Sequence, residues 1–174
     1  MTVLIIEGPD LSGKSTAIEQ IGKCFKRGFM FKNLYKPDKS GDREIYKQYW
    51  RIIHFINSTQ EMINPIYILD RFYPSQAVYS ILREKDEMKS GDILALDKYC
   101  SESGYVYIYI TAPLEILKSR FIARGDEHIK IYQLELLKMR YDQFYEQTLL
   151  PKMMINTMNE DWLKNLEVFV NEHK

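Results

Sequence analysis

The chain has 174 residues, 45% of them hydrophobic, which suffices for one compact domain, residues 1–174, with a sizeable core. Lysines and arginines number 24, aspartates and glutamates 24, and the zero net charge argues against a general nucleic-acid binder, which would carry a basic excess. No apolar run is long enough to span a bilayer and no signal-peptide pattern follows Met1. Cys24 and Cys100 lack metal-ligand spacing, and both are expected to be reduced in a cytoplasmic protein.

In chain order, Val3-Leu4-Ile5-Ile6 reads as a buried parallel strand ended by Gly8. Ser15 to about Phe25 predicts a helix with Ala17, Ile18, Ile21 and Phe25 on one side, and Gly28 fits its exit. Asn33-Leu34-Tyr35 predicts a second strand, stopped by Lys36-Pro37-Asp38. Lys39-Ser40-Gly41-Asp42 opens a long helix in which Tyr46, Tyr49, Trp50, Ile53 and Ile56 keep helical spacing. Ile66-Tyr67-Ile68-Leu69 is a third strand ending at Asp70-Arg71, and Pro74 suits the first turn of the next helix. A helix follows from about Asp92 to Cys100, then a strand over Val106–Ile110. Thr111-Ala112-Pro113 starts a helix through Phe121, and Ile131–Leu149 is another, ended by Pro151. Met153-Met154-Ile155-Asn156 is the fifth strand, and the remainder reads as a helix. Strands alternating with helices predict an α/β/α sandwich: a five-stranded parallel sheet covered on both faces.

Gly8-Pro9-Asp10-Leu11-Ser12-Gly13-Lys14-Ser15 fits G-x-x-x-x-G-K-[ST] in full, between a strand and a helix as that motif demands. Gly8 and Gly13 allow tight turns and close approach of phosphate oxygens. Successive loop N–H groups point inward beside a helix N-terminus, which favours anions. Lys14 supplies a point charge to the β- and γ-phosphates, and Ser15 a hydroxyl oxygen to Mg²⁺. ATP and Mg²⁺ are therefore the expected cofactors. The base-reading Asn-Lys-x-Asp of guanine-nucleotide switches is absent, and the chain is short for a motor ATPase, which leaves a small kinase with a small acceptor. At the end of the third strand Asp70 is placed to help hold Mg²⁺, and Arg71 beside it can grip a phosphate with two N–H groups.

Asp70-Arg71-Phe72-Tyr73-Pro74-Ser75-Gln76-Ala77-Val78-Tyr79 resembles the D-R-Y-x-x-S-x-x-A-Y element of thymidylate kinases. Ile6-Glu7-Gly8-Pro9-Asp10-Leu11-Ser12-Gly13-Lys14-Ser15-Thr16 is similar to that family's F-E-G-x-D-G-x-G-K-S-T. With the strand order, the resemblance spans most of the chain and implies a P-loop fold and transfer of the ATP γ-phosphoryl group to dTMP or a close deoxypyrimidine 5′-monophosphate. It places Gly8, Asp10, Leu11, Ser12, Gly13, Lys14, Ser15 and Thr16 against ATP. Asp10 also corresponds to the acid that approaches the acceptor's 3′-hydroxyl. Asp70 corresponds to the acid near the metal, Arg71 to the arginine on the acceptor phosphate, and Ser75 to the base-side wall. Tyr79 falls where a ring packs under the sugar. Arg51, 19 residues before Asp70 and beside Tyr46, Tyr49 and Trp50, matches the family's base-reading arginine by spacing and residue type; a surface arginine on an amphipathic helix fits equally. Lys36 is a further candidate for the acceptor phosphate.

Arg120 and Arg124 stand four apart at a helix end before Gly125, one face of a helix that can close as a lid over residues 120–130. Arginines delivered by a lid neutralise charge on the moving phosphoryl group. Leu11 stands where some members carry a P-loop arginine, so the resemblance assigns that role to Arg124, and to Arg120 a place near the adenine or the ATP phosphates. The family's spacer and Asp-Arg after Arg-Gly is replaced here by His128-Ile129, Leu11 replaces a glycine, Val78 an alanine and Ser80 a glutamine. These departures suit a divergent member, a viral one included, whose acceptor base is open.

Three other readings stand beside this one. A deoxynucleoside kinase would act on a free 5′-hydroxyl with a carboxylate such as Glu7 as base. A kinase of a hydroxylated base in DNA is weakened by the neutral charge. A catalytically silent nucleotide-binding regulator is opposed by the set Lys14, Ser15, Asp70 and Arg124. Neither nucleic acid nor membrane is expected as a partner. The family commonly pairs through helices packed on the sheet, so the resemblance points to residues 44–62 and 74–83 for a homodimer; the sequence leaves the oligomeric state open.

Overall fold

The computed structural model describes residues 2–25, 28–31, 42–63, 66–82, 90–125 and 129–173. Five parallel strands form one sheet: β1 (Thr2–Glu7), β2 (Gly28–Phe31), β3 (Ile66–Asp70), β4 (Tyr105–Thr111) and β5 (Lys152–Asn156), in the order β2-β3-β1-β4-β5. Among the described residues seven α-helices connect and cover them: α1 (Lys14–Cys24), α2 (Asp42–Ile63), α3 (Tyr73–Tyr79), α4 (Ser90–Glu102), α5 (Leu114–Arg124), α6 (Ile131–Gln147) and α7 (Trp162–Glu172). Parallel neighbours require crossover connections, and the alternation of strand and helix supplies them. The expected α/β/α architecture is present.

The period-2 geometry of strands divides the core in two. Leu4, Ile6, Ile68, Val106, Ile108, Ile110 and Ile155 pack with Ala17, Ile18 and Ile21 of α1 and with Leu166 and Val170 of α7. The alternate positions Val3, Ile5, Tyr67, Leu69, Tyr105, Tyr107 and Tyr109 pack with α2, α4 and α6. Glu7 continues the Val3–Ile5 parity and so points to the second face. Asp70 is paired in register with Ile6 and points to the first. Two carboxylates at neighbouring strand ends are thereby sent to opposite sides of the sheet.

The second strand forms over Gly28–Phe31, paired with β3 from Gly28↔Ile66 to Phe31↔Leu69, where the sequence suggested a helix exit. The expected strand at Asn33-Leu34-Tyr35 and the candidate Lys36 lie outside the described residues. Of the two segments expected to pair protomers, α3 is used inside the chain: Tyr73, Pro74, Ser75, Gln76, Val78 and Tyr79 are all buried. Among the described residues no helix is long and apolar enough to cross a membrane.

α4 is fastened by a buried carboxylate, Asp97. Asp97 accepts from the Tyr73 hydroxyl, from Thr148 Oγ1 and from the Leu149 N–H, each at 2.7 Å. One side chain thus joins α4 to α3 and to the exit of α6.

β1 ends against β4 at Gly8, where a Cβ would lie 2.1 Å from the carbonyl oxygen of Ile110. The clash is with backbone, which a rotamer change cannot relieve. Gly8→Ala is expected to lower unfolding free energy by about 2 kcal/mol or more, read by urea denaturation; a variant as stable as the parent would show that the strand end has room.

Candidate active site

The loop from Gly8 to Gly13 turns under α1. Gly13 is the N-cap in a left-handed conformation, φ 88°, with no side-chain cap, so the first N–H groups of α1 remain for an anion. The loop is fixed from below: Thr157 Oγ1, just past β5, donates to the Ser12 carbonyl at 2.9 Å. Ser12 Oγ is buried without a partner. Leu11 adopts φ 65°, in the left-handed region that favours glycine.

Lys14 and Asp70 form an ion pair, with side chains 10% and 16% exposed. Burial pushes the Lys14 ammonium below its usual range and Arg71 adds to this, while Asp70 offsets it. Ser15 and Asp70 line one recess beside α1. A hydroxyl and a carboxylate oxygen are the hard donors that Mg²⁺ takes alongside phosphate oxygens and water, so the residues fit that ion. Among the described residues no group of three or more His, Cys, Asp and Glu side chains forms a self-sufficient metal cage.

Arg71 follows β3 directly, in a left-handed backbone with φ 63°, its N–H bonded to the Ile6 carbonyl at 3.1 Å. Its guanidinium is held on three sides. Nη2 donates to Asp10 Oδ1 at 2.6 Å, and Nη1 donates to the Tyr141 hydroxyl at 2.7 Å and to Ser75 Oγ at 3.2 Å. Its Cζ lies 5.1 Å from the centre of the Tyr79 ring. The Tyr79 hydroxyl donates to the other oxygen of Asp10 at 2.5 Å. Burial works against the charge of Arg71, and Tyr141, Tyr79, Asp10 and Glu7 outweigh it, so the group stays a cation.

Glu7 lies beneath this cluster, fully buried. Its Oε1 accepts from the N–H groups of Phe72 at 2.7 Å and Ser75 at 3.2 Å, and its Oε2 from Ser75 Oγ at 2.5 Å and the Tyr141 hydroxyl at 3.3 Å. It therefore caps α3 from another strand, where the N-cap residue Phe72 has no side chain able to do so. Burial raises the Glu7 carboxyl above its ordinary 4.5 despite Arg71 and these donors.

The lid arginines meet the loop from the far side. Arg120 Nη1 donates to the Leu11 carbonyl at 2.8 Å. Arg120 and Arg124 line a cavity of about 450 Å³ with Gly13, Thr16, Gln20 and Trp162, a size within the range of small-molecule sites. Gly125 ends α5 with φ 73°, and residues 126–128 of the expected lid lie outside the described residues.

The structure thus brings Asp10, Arg71, Ser75 and Tyr79 into one cluster, Lys14, Ser15 and Asp70 into a second, and Arg120 and Arg124 to the loop. It does not bring Arg51 to them. Arg51 lies on the exposed face of α2, 70% exposed, and donates to Glu44 at 3.1 Å. Sequence reasoning missed Tyr141, whose hydroxyl touches Arg71, Ser75 and Glu7. A tyrosine within the Leu134–Leu137 apolar stripe of α6 was its one signal. Gln20, Thr157 and Trp162 were missed as well.

No protein-family model matches the chain. It is 28% identical over 137 residues to the SPbeta prophage-derived uncharacterized protein YorR of Bacillus subtilis (strain 168), covering 75% of this chain and 73% of that one. The crystal structure of YorR in complex with phosphorylated GDP superposes with a TM-score of 0.72 at 22% identity, over 98% of this chain and 95% of the other. A deoxyadenosine kinase from M. mycoides with the products dCMP and dCDP bound gives 0.59 at 16% identity, over 100% of both chains. The same kinase with dATP gives 0.56 at 17%, over 98% and 99%. The α/β/α fold is shared with these proteins, none of which is named a thymidylate kinase.

The Glu7 linkage has a definite sign. A folded-state value above 4.5 means that the folded chain keeps a proton the unfolded chain has released. The stability from this group is complete below 4.5 and is lost as pH rises through the folded value. Glu7→Gln is expected to flatten that decline in a pH series of urea melts. Glu7→Leu, which strips the acceptor from two backbone N–H groups, should cost about 2–4 kcal/mol. Equal slopes in the parent and Glu7→Gln would contradict the assignment.

Proposed function

We propose that this protein is a nucleotide kinase that moves the γ-phosphoryl group of ATP to a deoxynucleoside 5′-monophosphate, dTMP or a closely related deoxypyrimidine nucleotide. The observation that carries the reading is the buried Arg71 guanidinium, held by Asp10, Ser75, Tyr141 and the Tyr79 ring at the edge of the phosphate loop. A planar cation pre-set in one orientation suits a phosphate that must be positioned rather than merely attracted.

The chemistry asks little else of the chain. An acceptor phosphate oxygen is already ionised at neutral pH; it forms a bond to the γ-phosphorus while the bond to the β-phosphate bridging oxygen breaks, and ADP leaves. Catalysis then rests on alignment and on neutralising charge. Lys14 and the α1 N-terminus hold the donor phosphates. Mg²⁺, held through Ser15 and Asp70, supplies further charge neutralisation when bound. Arg124 approaches the transferred group as the lid closes, and Arg120 keeps the lid on the loop through Leu11. Tyr79, hydrogen-bonded to Asp10, forms the sugar wall. Thr16, Gln20 and Trp162 line the donor-base side.

A second reading, phosphorylation of a deoxynucleoside 5′-hydroxyl, is supported by the likeness to deoxyadenosine kinase. That reaction requires a base for the hydroxyl proton. Glu7 does not suit the task, because both its oxygens are occupied by donors inside the protein. The bound nucleotide of YorR makes guanine nucleotides part of the same question.

Turnover of each deoxynucleoside and each deoxynucleoside 5′-monophosphate with ATP or GTP and Mg²⁺ separates the readings. ADP release is expected with monophosphates; release with nucleosides alone would replace the first reading by the second. Lys14→Ala should reduce kcat/KM for both substrates. Arg71→Ala should raise the acceptor KM and lower its kcat/KM by about a hundredfold or more, with little change in KM for ATP. Full activity of Arg71→Ala at low acceptor concentration would remove the acceptor assignment. Arg124→Ala should act mainly on kcat.

A further inference from the structure

We infer that Asp97 is a positioning residue for the acceptor phosphate: with Glu7 it fixes the gap between α3 and α6 across which the Arg71 guanidinium is held. The inference rests on the role of Arg71 proposed above. Nη1 of Arg71 is set between two helices, with Ser75 Oγ of α3 at 3.2 Å and the Tyr141 hydroxyl of α6 at 2.7 Å. A guanidinium gripped in this way keeps its orientation only while the separation of the helices is fixed. A phosphate taken by two of its N–H groups at about 2.7–2.9 Å tolerates little error in that orientation.

Two buried carboxyl groups span this pair of helices. At one end Glu7 accepts from the N–H groups of Phe72 and Ser75 and from Ser75 Oγ on the α3 side, and from the Tyr141 hydroxyl on the α6 side. At the other end Asp97, 4% exposed, reaches in from α4. It accepts from the Tyr73 hydroxyl of α3 and from Thr148 Oγ1 and the Leu149 N–H at the exit of α6. Tyr141 and Thr148 are about two helical turns apart, so the two bridges are separate. Between them the Tyr73 ring meets Phe144 of α6 edge-on, with centroids 6.2 Å apart. Apolar contact alone would hold these helices together without desolvating a carboxyl group. Packed rings permit small slips, whereas a hydrogen bond weakens steeply away from its distance and angle. Three donors from two helices converging on one carboxyl group therefore set a separation. All three belong to residues outside the phosphate-binding clusters, so the effect of Asp97 on Arg71 is carried by α3 and α6.

The test uses the full chain and cuts the two arms of this bridge in turn. Tyr73→Phe removes the α3 donor and keeps the ring against Phe144. Asp97→Asn keeps an oxygen for Tyr73 and Thr148 and turns an amide N–H toward the Leu149 N–H, which cuts the α6 arm. Val170→Ala, in the core on the opposite face of the sheet, is the control for lost stability alone. Kinetics are measured well below each Tm, with ATP and the deoxynucleoside monophosphate that the parent turns over best. Tyr73→Phe and Asp97→Asn should each raise the acceptor KM about three- to tenfold and leave the KM for ATP unchanged. The double variant should show less than the product of the two effects, because either cut opens the same bridge. Val170→Ala should lower Tm and leave both KM values in place. In side-chain N–H NMR, the Arg71 signal, identified by its loss in Arg71→Ala, should shift in both bridge variants and stay in place in Val170→Ala. An unshifted signal with an unchanged acceptor KM would overturn the inference and leave the Arg71 reading intact. Equal changes in both KM values would mean that Asp97 only supports the fold, and would overturn it too. If the parent turned over no monophosphate, the Arg71 reading would fall and take this inference with it.

Discussion

A carboxylate with no access to water organises this site. Glu7 ends the central strand one residue before the phosphate loop, and strand parity turns its side chain away from that loop. It is received by the first turn of α3, whose backbone N–H groups have no local cap, and by the hydroxyls of Ser75 and Tyr141. The strand that launches the donor loop is thereby joined to the helix that carries Ser75, Gln76 and Tyr79. Replacing such a group by an apolar one strands several donors at once, so its value lies in specifying one arrangement more than in net stabilisation.

Above this anchor the charges are arranged in pairs. Lys14 rests on Asp70 and Arg71 on Asp10, each cation with a carboxylate, so neither is buried unpartnered. Phosphate binding is then an exchange of anions. On that account Lys14 would leave Asp70 for phosphate oxygens, freeing a carboxylate that would hold Mg²⁺ with Ser15, and Arg71 would turn from Asp10 toward an acceptor phosphate. The pKa of the Lys14 ammonium is lowered chiefly by burial, and a phosphate beside it would favour the charged form. Leu11 and Arg71 both hold left-handed backbones, each at an estimated cost of about 1–3 kcal/mol that the surrounding structure must offset. Both residues flank the point where donor and acceptor would meet.

The sequence made the phosphate loop, the Asp70-Arg71 strand end and four strands legible because each is a local pattern: an apolar run, a glycine spacing, a motif. The strand over Gly28–Phe31 was not read because Gly28-Phe29-Met30-Phe31 begins with the residue that also ends helices. Among the described residues it pairs with β3 alone, and that pairing leaves no local trace. Asp97 and Tyr141 were missed for a related reason. Each is buried by partners distant in the chain: Asp97 by Thr148 and Leu149, Tyr141 by Glu7, Arg71 and Ser75. In sequence they look like ordinary members of amphipathic helices. Arg51 shows the converse, since correct spacing to Asp70 placed it on α2 but not on the inward side.

The same distinction explains why a resemblance in motif reaches the reaction before the substrate. Most named positions of the two elements, Gly8, Lys14, Ser15, Asp70 and Arg71, are ones whose expected partners are phosphates and charge, which every nucleotide shares. A base is distinguished only by an edge, and an edge is matched by a neutral side chain with direction. Such a side chain has no charge partner in the free protein to betray it and no fixed identity in the motif. In this chain the positions that the motif leaves free after Asp70-Arg71 lie on α3, which Glu7 holds in register with Arg71. Ser75, Gln76 and Tyr79 therefore stand on one support with Arg71, the helix whose first turn Glu7 holds from the central strand.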